Sequence, residues 1–322
     1  MELNRRSLLA VAAALPLQTL VLGRAAAAPT VAPVTTPGVR YTMVTFTNNS
    51  QIDLYVYESA DATTFQLLRG AAYRPPGADP STPATDPTDR GSLLRDPSLF
   101  RHEDGSYYVV HTTAWDGNSL GFARSDDLLT WTHLYDYEVP IPDVRHAWAP
   151  EWFRDPSGRI AVLVSLNTGA GFTPHVMTAA DPELRTWTTP TPLAGLNPNP
   201  GTELGYIDTT VVHHLGRYYA FVKNEQTKFV ELAVADQLDG PYTFEQTGDW
   251  AGWGGPREGQ CVIPLPNGGW RIFLDAYNLD DPTQGSYLYS DSYADFTGWT
   301  RPEPLPGVSG FIRHGTVLAE YR

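Results

Sequence analysis

Four aspartates stand 55 residues apart: Asp126, Asp181, Asp236 and Asp291. Each follows a small residue, in Ser125-Asp126, Ala180-Asp181, Ala235-Asp236 and Ser290-Asp291, and each precedes an aromatic, Trp131, Trp187, Tyr242 or Trp299. A degenerate fifth copy, "ESADATTF", carries Asp61 and Phe65. A constant period of this length marks radially or linearly repeated units, and a β-sandwich does not generate one.

A second series runs in phase with the first: "RDPSLF" from Arg95, "WAPEWF" from Trp148, "IDTTVV" from Ile207, "REGQCV" from Arg257 and "RHGTVL" from Arg313. Turns containing Gly105, Gly158, Gly216 and Gly268 follow the first four, and then come "SYYVV", "RIAVLV", "RYYAFV" and "WRIFL". Short apolar runs joined by Gly turns are hairpin signals, and no window after the N-terminal stretch has a helical period. About four strands in each unit is the content of a propeller blade. The fold class is therefore all-β, a five-bladed β-propeller. "FIRHGTVLAEYR" is a first strand with nothing after it, while "VRYTMVTFTN" and "IDLYVYES" lack a first strand before them. One blade shared by the N- and C-terminal strands would close the ring and remove the open sheet edges.

Residues 1–28 read as an export signal, with a basic start, a short apolar run and an Ala-rich end suited to cleavage after Ala28. Arg5-Arg6 before Ser7-Leu8-Leu9 fits the twin-arginine route to a secreted protein, with an ordinary secretory signal as the alternative. Residues 29–322 then form one propeller domain, expected to be a monomer. The apolar run is too short for stable membrane insertion. The formal net charge of −14 opposes nucleic acid and anionic membrane surfaces and suits a neutral ligand. The single cysteine, Cys261, permits no internal disulfide and reads as a buried apolar residue. Residues 73–92, rich in Pro, Asp and Thr, form either a lip on the active face or slack between blades.

The string RDPS occurs at Arg95–Ser98 and again at Arg154–Ser157. The repeat separates them. The second copy falls between two strands, where Asp155-Pro156-Ser157-Gly158 suits a tight turn. The first opens an inner strand. The second residue of each aligned inner strand is Asp96, Ala149, Asp208, Glu258 or His314. Inner strands line a propeller's channel, so equivalent positions are expected to form a ring about the axis. Three carboxyls at one repeat position are seldom kept for stability, since buried charge is costly without a partner. Two of them suit glycoside hydrolysis, and a third would hold their pKa values apart.

These five motifs, "RDPSLF", "HAWAPEW", "YIDTTVV", "REGQ" and "RHGTV", resemble the pattern of glycoside hydrolase family 43, in order along essentially the whole mature chain. The resemblance implies an inverting furanosidase or xylosidase on a five-bladed propeller. Asp96 matches the general base, Asp208 the carboxylate that orients and tunes the acid, and Glu258 the general acid. His314 matches a channel histidine that in some members sits near a central water or calcium ion; a channel histidine without an ion is the equal reading. No cofactor is required by this pattern. The chain departs from it where Asp-Pro becomes Asp208-Thr209 and Glu-Gly-Pro becomes Glu258-Gly259-Gln260.

Trp115 and Trp148 are the expected sugar-stacking walls, with the small Ala149 leaving room in the ring. Arg313, Asn224 and His146 are the expected hydroxyl partners. Trp131, Trp187 and Trp299 are assigned to packing between blades. The leading expectation is a secreted α-L-arabinofuranosidase acting on neutral oligo- or polysaccharide. β-Xylosidase, β-galactofuranosidase, exo-galactanase and endo-arabinanase remain open, as do a retaining invertase-type fructan hydrolase and a non-catalytic sugar-binding propeller.

Overall fold

The computed structural model describes residues 38–47, 49–81, 92–198, 203–277, 285–293 and 295–321. The expected export signal and half of the segment between blades five and one, residues 82–91, lie outside them. Every regular element among the described residues is a strand. Five antiparallel four-stranded sheets follow one another as blades.

Blade one pairs Arg95–Arg101, Tyr107–Thr112, Ser119–Ser125 and Trp131–Glu138, from the axis outward. Blade two uses His146–Arg154, Ile160–Asn167, Phe172–Thr178 and Thr191–Pro192. Blade three uses Tyr206–His214, Arg217–Asn224, Val230–Ala235 and Thr243–Gln246, and blade four Glu258–Pro264, Trp270–Ala276, Ser286–Ser292 and Glu303–Pro304. Blade five is built from both ends of the chain: Arg313–Tyr321 pairs with Val39–Phe46, followed by Leu54–Ser59 and Gln66–Tyr73. Val39 lies opposite Tyr321 and Val44 opposite Thr316, so the ring closes by strand pairing, as the sequence pattern requires.

The 55-residue period maps onto the corner between the third and outer strands. There Asp61 and Asp181 cap their own turns, Asp61 Oδ1 accepting from Thr63 N (2.8 Å) and Thr64 N (2.7 Å) and Asp181 from the amides of Arg185 and Thr186, while Asp126, Asp236 and Asp291 pair with Arg124, Arg217 and Arg271. The aromatic that follows enters an apolar cluster between neighbouring sheets. Trp131, Tyr242 and Phe65 are buried, and Trp187 and Trp299 pack against the clusters at their own seams. Each of the five clusters lies at one blade–blade seam. Fully buried Phe122, Phe221 and Phe273 anchor three of them, each contributing roughly 1.5–3 kcal/mol of apolar burial.

Polar bonds cross the same seams near the axis. Ser98, Glu151, Thr210, Cys261 and Thr316 occupy one repeat position, three residues past the inner-strand opening. Leu99 N donates to Thr316 Oγ1 (3.0 Å), Trp152 N to Ser98 Oγ (3.0 Å) and Val317 N to Cys261 Sγ (3.3 Å), while Thr210 Oγ1 donates to Glu151 Oε1. Gln260, one of the two departures from the family pattern, supplies the remaining seam. Its Nε2 donates to Phe221 O (2.9 Å) and to Asp208 O. Cys261 is buried and free, and burial pushes its thiol well above the ordinary cysteine value.

The second RDPS is a turn. Gly158 N donates to Asp155 O (2.8 Å), Ser157 N to Asp155 Oδ1 (2.5 Å), and Arg159 pairs with the same carboxylate.

Candidate active site

The inner strand of every blade carries a bulge near its start. Pairing is interrupted after Arg95, Trp148, Ile207 and Glu258, and at Arg313 in the closing blade. The residue after each has positive φ: Asp96 (49°), Ala149 (48°), Asp208 (53°), Gly259 (56°) and His314 (27°). A bulge adds a residue to one strand and breaks the in–out alternation. Consecutive side chains then reach one cavity, as Arg95-Asp96, Ile207-Asp208 and Arg313-His314 all do. Holding non-glycine residues in this left-handed region costs about 1 kcal/mol each, a strain concentrated at functional positions.

This geometry corrects the expected ring. Glu258 is equivalent to Arg95, Trp148, Ile207 and Arg313, and Gly259 occupies the position shared by Asp96, Ala149, Asp208 and His314. The sequence alignment was displaced by one residue in blade four. Glu258 nevertheless meets the two aspartates, because both bulge positions face the same cavity, about 870 Å³ in volume. Asp96, Asp208, Glu258, Arg313 and His314 all line it, with Trp115 and Trp148 on one wall.

Two expected sugar contacts are placed elsewhere. His146 stands behind the aromatic wall, its Nδ1 2.9 Å from Trp115 O, the carbonyl that also accepts from Trp148 Nε1 (2.9 Å). Asn224 is buried and organises a turn: its Oδ1 accepts from Gln226 N (3.0 Å) and Thr227 N (3.1 Å). Neither lines the cavity.

The sequence reading missed a second ring. Opposite the five bulges, the second strands carry Thr112, Ser165, Lys223, Asp275 and Phe46 at or near their ends. Thr112 Oγ1 donates to Asp96 Oδ2 (2.9 Å) and accepts from Ala149 N (2.9 Å). Lys223 Nζ donates to Glu258 Oε2 (2.8 Å) and stands 3.0 Å from Glu225 Oε2. Fully buried Asp275 accepts from Arg313 Nε (2.5 Å) and His314 N (3.0 Å). Arg313 also donates to Glu258 Oε1 (2.7 Å). A charged residue ending an apolar strand, as in "RYYAFVKN" and "WRIFLDA", was the available signal. Arg95 was missed as well. Its guanidinium lies 4.1 Å from the Trp115 ring centre and 4.7 Å from that of Phe46.

The three carboxyls sit in different fields. Burial alone would raise Asp96, but His314 (3.1 Å), Arg95 and Thr112 outweigh it and hold that carboxyl well below the usual range. Burial raises Asp208 to about 6, opposed by His314 and Lys223 and reinforced by the negative charges of Glu258 and Asp96. Burial also acts upward on Glu258, yet Lys223 and Arg313 hold it down at about 2. Burial disfavours the His314 cation, but Asp96 and Asp208 raise its pKa to about 9. Among the described residues no group of three His, Cys, Asp or Glu side chains is arranged to hold a metal.

Three carboxyls of unlike basicity converging on one cavity of a five-bladed propeller form an arrangement that suits glycoside hydrolysis. Residues 37–320 match the family described as "Probable glycosyl hydrolase domain", the relatives of glycoside hydrolase family 43, and the chain belongs to that family. A β-xylosidase from Xylanibacter ruminicola is 27% identical over 192 residues, 59% of this chain and 51% of that protein, so the chain spans about half the length of that curated relative. An endo-1,4-β-xylanase from Bacteroides thetaiotaomicron superposes with a TM-score of 0.62 at 11% identity, covering 86% of this chain and 93% of that one. A family 43 β-1,3-galactosidase solved with galactodeoxynojirimycin gives 0.59 at 12% identity, over 86% and 91%. At these identities the two structures share the fold.

Proposed function

We propose that this domain is an inverting glycosidase for neutral pentosyl or galactosyl linkages. Asp96 is the base, Glu258 the acid and Asp208 the group that orients and tunes them. The observation that carries the reading is the meeting of these side chains in one cavity with Asp96 held as a carboxylate. Asp96 takes a proton from water as the water oxygen bonds to the anomeric carbon. The glycosidic C–O bond breaks toward the leaving oxygen, which takes its proton from Glu258.

Lys223 and Arg313 favour the carboxylate form of Glu258, so one of these cations must move away before Glu258 carries that proton. Arg313 is the cation able to leave. Asp275 anchors it through Nε, which frees the arm now on Glu258 to turn to a sugar hydroxyl. The buried lysine, pinned by two glutamates, stays. The α-L-arabinofuranosidase reading stands beside β-xylosidase and β-galactosidase, the two activities that relatives name. Export by the signal at residues 1–28, action as a monomer and independence of any cofactor complete the proposal.

The test is a screen of aryl α-L-arabinofuranoside, β-D-xyloside and β-D-galactoside, with NMR assignment of the first-formed anomer. Release of one sugar with inverted configuration is the expected result. A retained anomer would overturn the inverting mechanism, and no release from any of the three would overturn the activity.

A further inference from the structure

We propose that a second cavity, beside Trp148, binds further sugar units of a neutral glycan whose terminal unit sits among Asp96, Asp208 and Glu258; this rests on the glycosidase reading above. The second cavity, about 540 Å³, is walled by Trp148, Phe172 and Leu204 with Asn167, Glu203 and Glu225. Trp148 and Glu225 also line the first cavity, so the two are contiguous, with the indole edge between them.

The wall is built before any ligand arrives. Phe172 N donates to Leu204 O (2.9 Å), and the chain forms a parallel bridge between Phe172 and Gly205. A Cβ on Gly205, whose φ is +79°, would lie 2.0 Å from Phe172 O, so blades two and three can approach this closely only with glycine there. A preformed wall binds without the cost of ordering a loop. Its chemistry is that of a sugar site, an aromatic patch with a few polar groups. The Trp148 and Phe172 ring centres are 4.8 Å apart, and Leu204 is 49% exposed beside them. Two glutamates and no basic residue line this cavity; Lys223 and Lys228 pair with Glu225, and the chain's net charge of −14 adds to the opposition to carboxylate or sulfate substituents.

Ala170, an exposed lining residue, allows the cavity to be filled without removing core. Wild type and Ala170→Trp are compared on an aryl glycoside and on di-, tri- and tetrasaccharides of β-1,4-xylose and β-1,3-galactose. For wild type, kcat/KM should rise about tenfold from di- to tetrasaccharide. In Ala170→Trp the rise should vanish while aryl glycoside turnover stays within about twofold, since that ligand does not reach the second cavity. No chain-length dependence in wild type, or one that survives Ala170→Trp, overturns the proposal.

Calorimetry of each tetrasaccharide with Asp96→Asn, alone and combined with Ala170→Trp, separates this proposal from the glycosidase reading. Binding weakened by the tryptophan supports the cavity even if no glycoside is cleaved, and absence of binding overturns it. A xylotetraose carrying a glucuronic acid branch should bind at least about tenfold more weakly than the neutral one. Equal binding overturns the assignment to neutral glycans.

Discussion

Lys223 Nζ lies 2.8 Å from Oε2 of Glu258, and the lysine is only 2% exposed. The pair joins the second strand of blade three to the inner strand of blade four, so one contact is both a seam between blades and the strongest field on the proposed acid. Lys223→Met removes the cation and leaves Glu258 to Arg313. Breaking a buried pair from one side costs up to about 3 kcal/mol, the charge left on Glu258 being only partly compensated by Arg313. Protonation of Glu258 relieves that cost. Thermal melts should therefore show a larger loss at pH 8 than at pH 4, and an equal loss at both would mean that the lysine acts through packing alone.

Removal of the acid should depend on the leaving group. Glu258→Ala is expected to lower hydrolysis of poor leaving groups by about 10²–10⁴-fold and that of activated aryl glycosides much less, since those need little protonation. Asp96→Ala should lower both alike, because each reaction needs its water activated. Leaving-group plots for the two variants check this. Parallel lines for Glu258→Ala and wild type would remove Glu258 from the acid role.

Stability should fall as the solution becomes alkaline. His314 has its pKa raised to about 9 from an ordinary 6.5, so its contribution is complete below pH 6.5 and disappears as pH rises through 9. Glu151, in the seam with Thr210, is raised to about 8, chiefly by burial; its folded state prefers the proton, and its ionisation destabilises the fold as pH rises through 8. Glu151→Gln keeps an acceptor for Thr210 and removes the charge. It should raise stability at pH 9 by on the order of 2 kcal/mol, about 5 °C in Tm, with little gain at pH 5. An unchanged pH slope in Glu151→Gln would show that this carboxyl does not report on the seam.

Gly259 is where blade four replaces a side chain with nothing. Its φ is +56°, and a Cβ there would lie 2.6 Å from Cγ of His314. Gly259→Ala should push the His314 ring off Asp96 and lower activity by at least about tenfold, while costing roughly 1–3 kcal/mol. Ala149→Gly, at the equivalent position in blade two, relieves strain and should leave activity near wild type. Comparable kinetics for Gly259→Ala and wild type would detach the His314 position from the reaction.

Much of the architecture was readable from residue types. Asp126, Asp181, Asp236 and Asp291 mark corners because they recur at a constant interval, Asp181 capping its own turn and the other three pairing with an arginine of the same blade. Trp131 and Trp187 could be assigned to seams because the aromatic keeps its distance from that corner. The inner-strand motifs exposed Asp96 and Asp208 for the same reason. Glu258 was identified but placed one position out of register. The bulge that moves it abolishes the alternation by which sequence reports which face a residue takes, and the glycine that would have marked the shift also suits an ordinary turn. His146 and Asn224 were misplaced because a hydroxyl-binding side chain and one that braces backbone have the same chemistry. Arg95, Lys223 and Asp275 escaped notice because each matters only through a partner remote in sequence.

The amino-acid order by itself determined the period, the number of blades, the strand that closes the ring and the presence of three acids near its axis, since all of these follow from local propensity repeated at a constant interval. Only the tertiary structure decided which acid keeps its charge. Ion-pair energy varies inversely with separation and grows as water is excluded. The distances that set Glu258 against Lys223, and Asp96 against His314, exist only once strands from different blades have been folded onto one cavity.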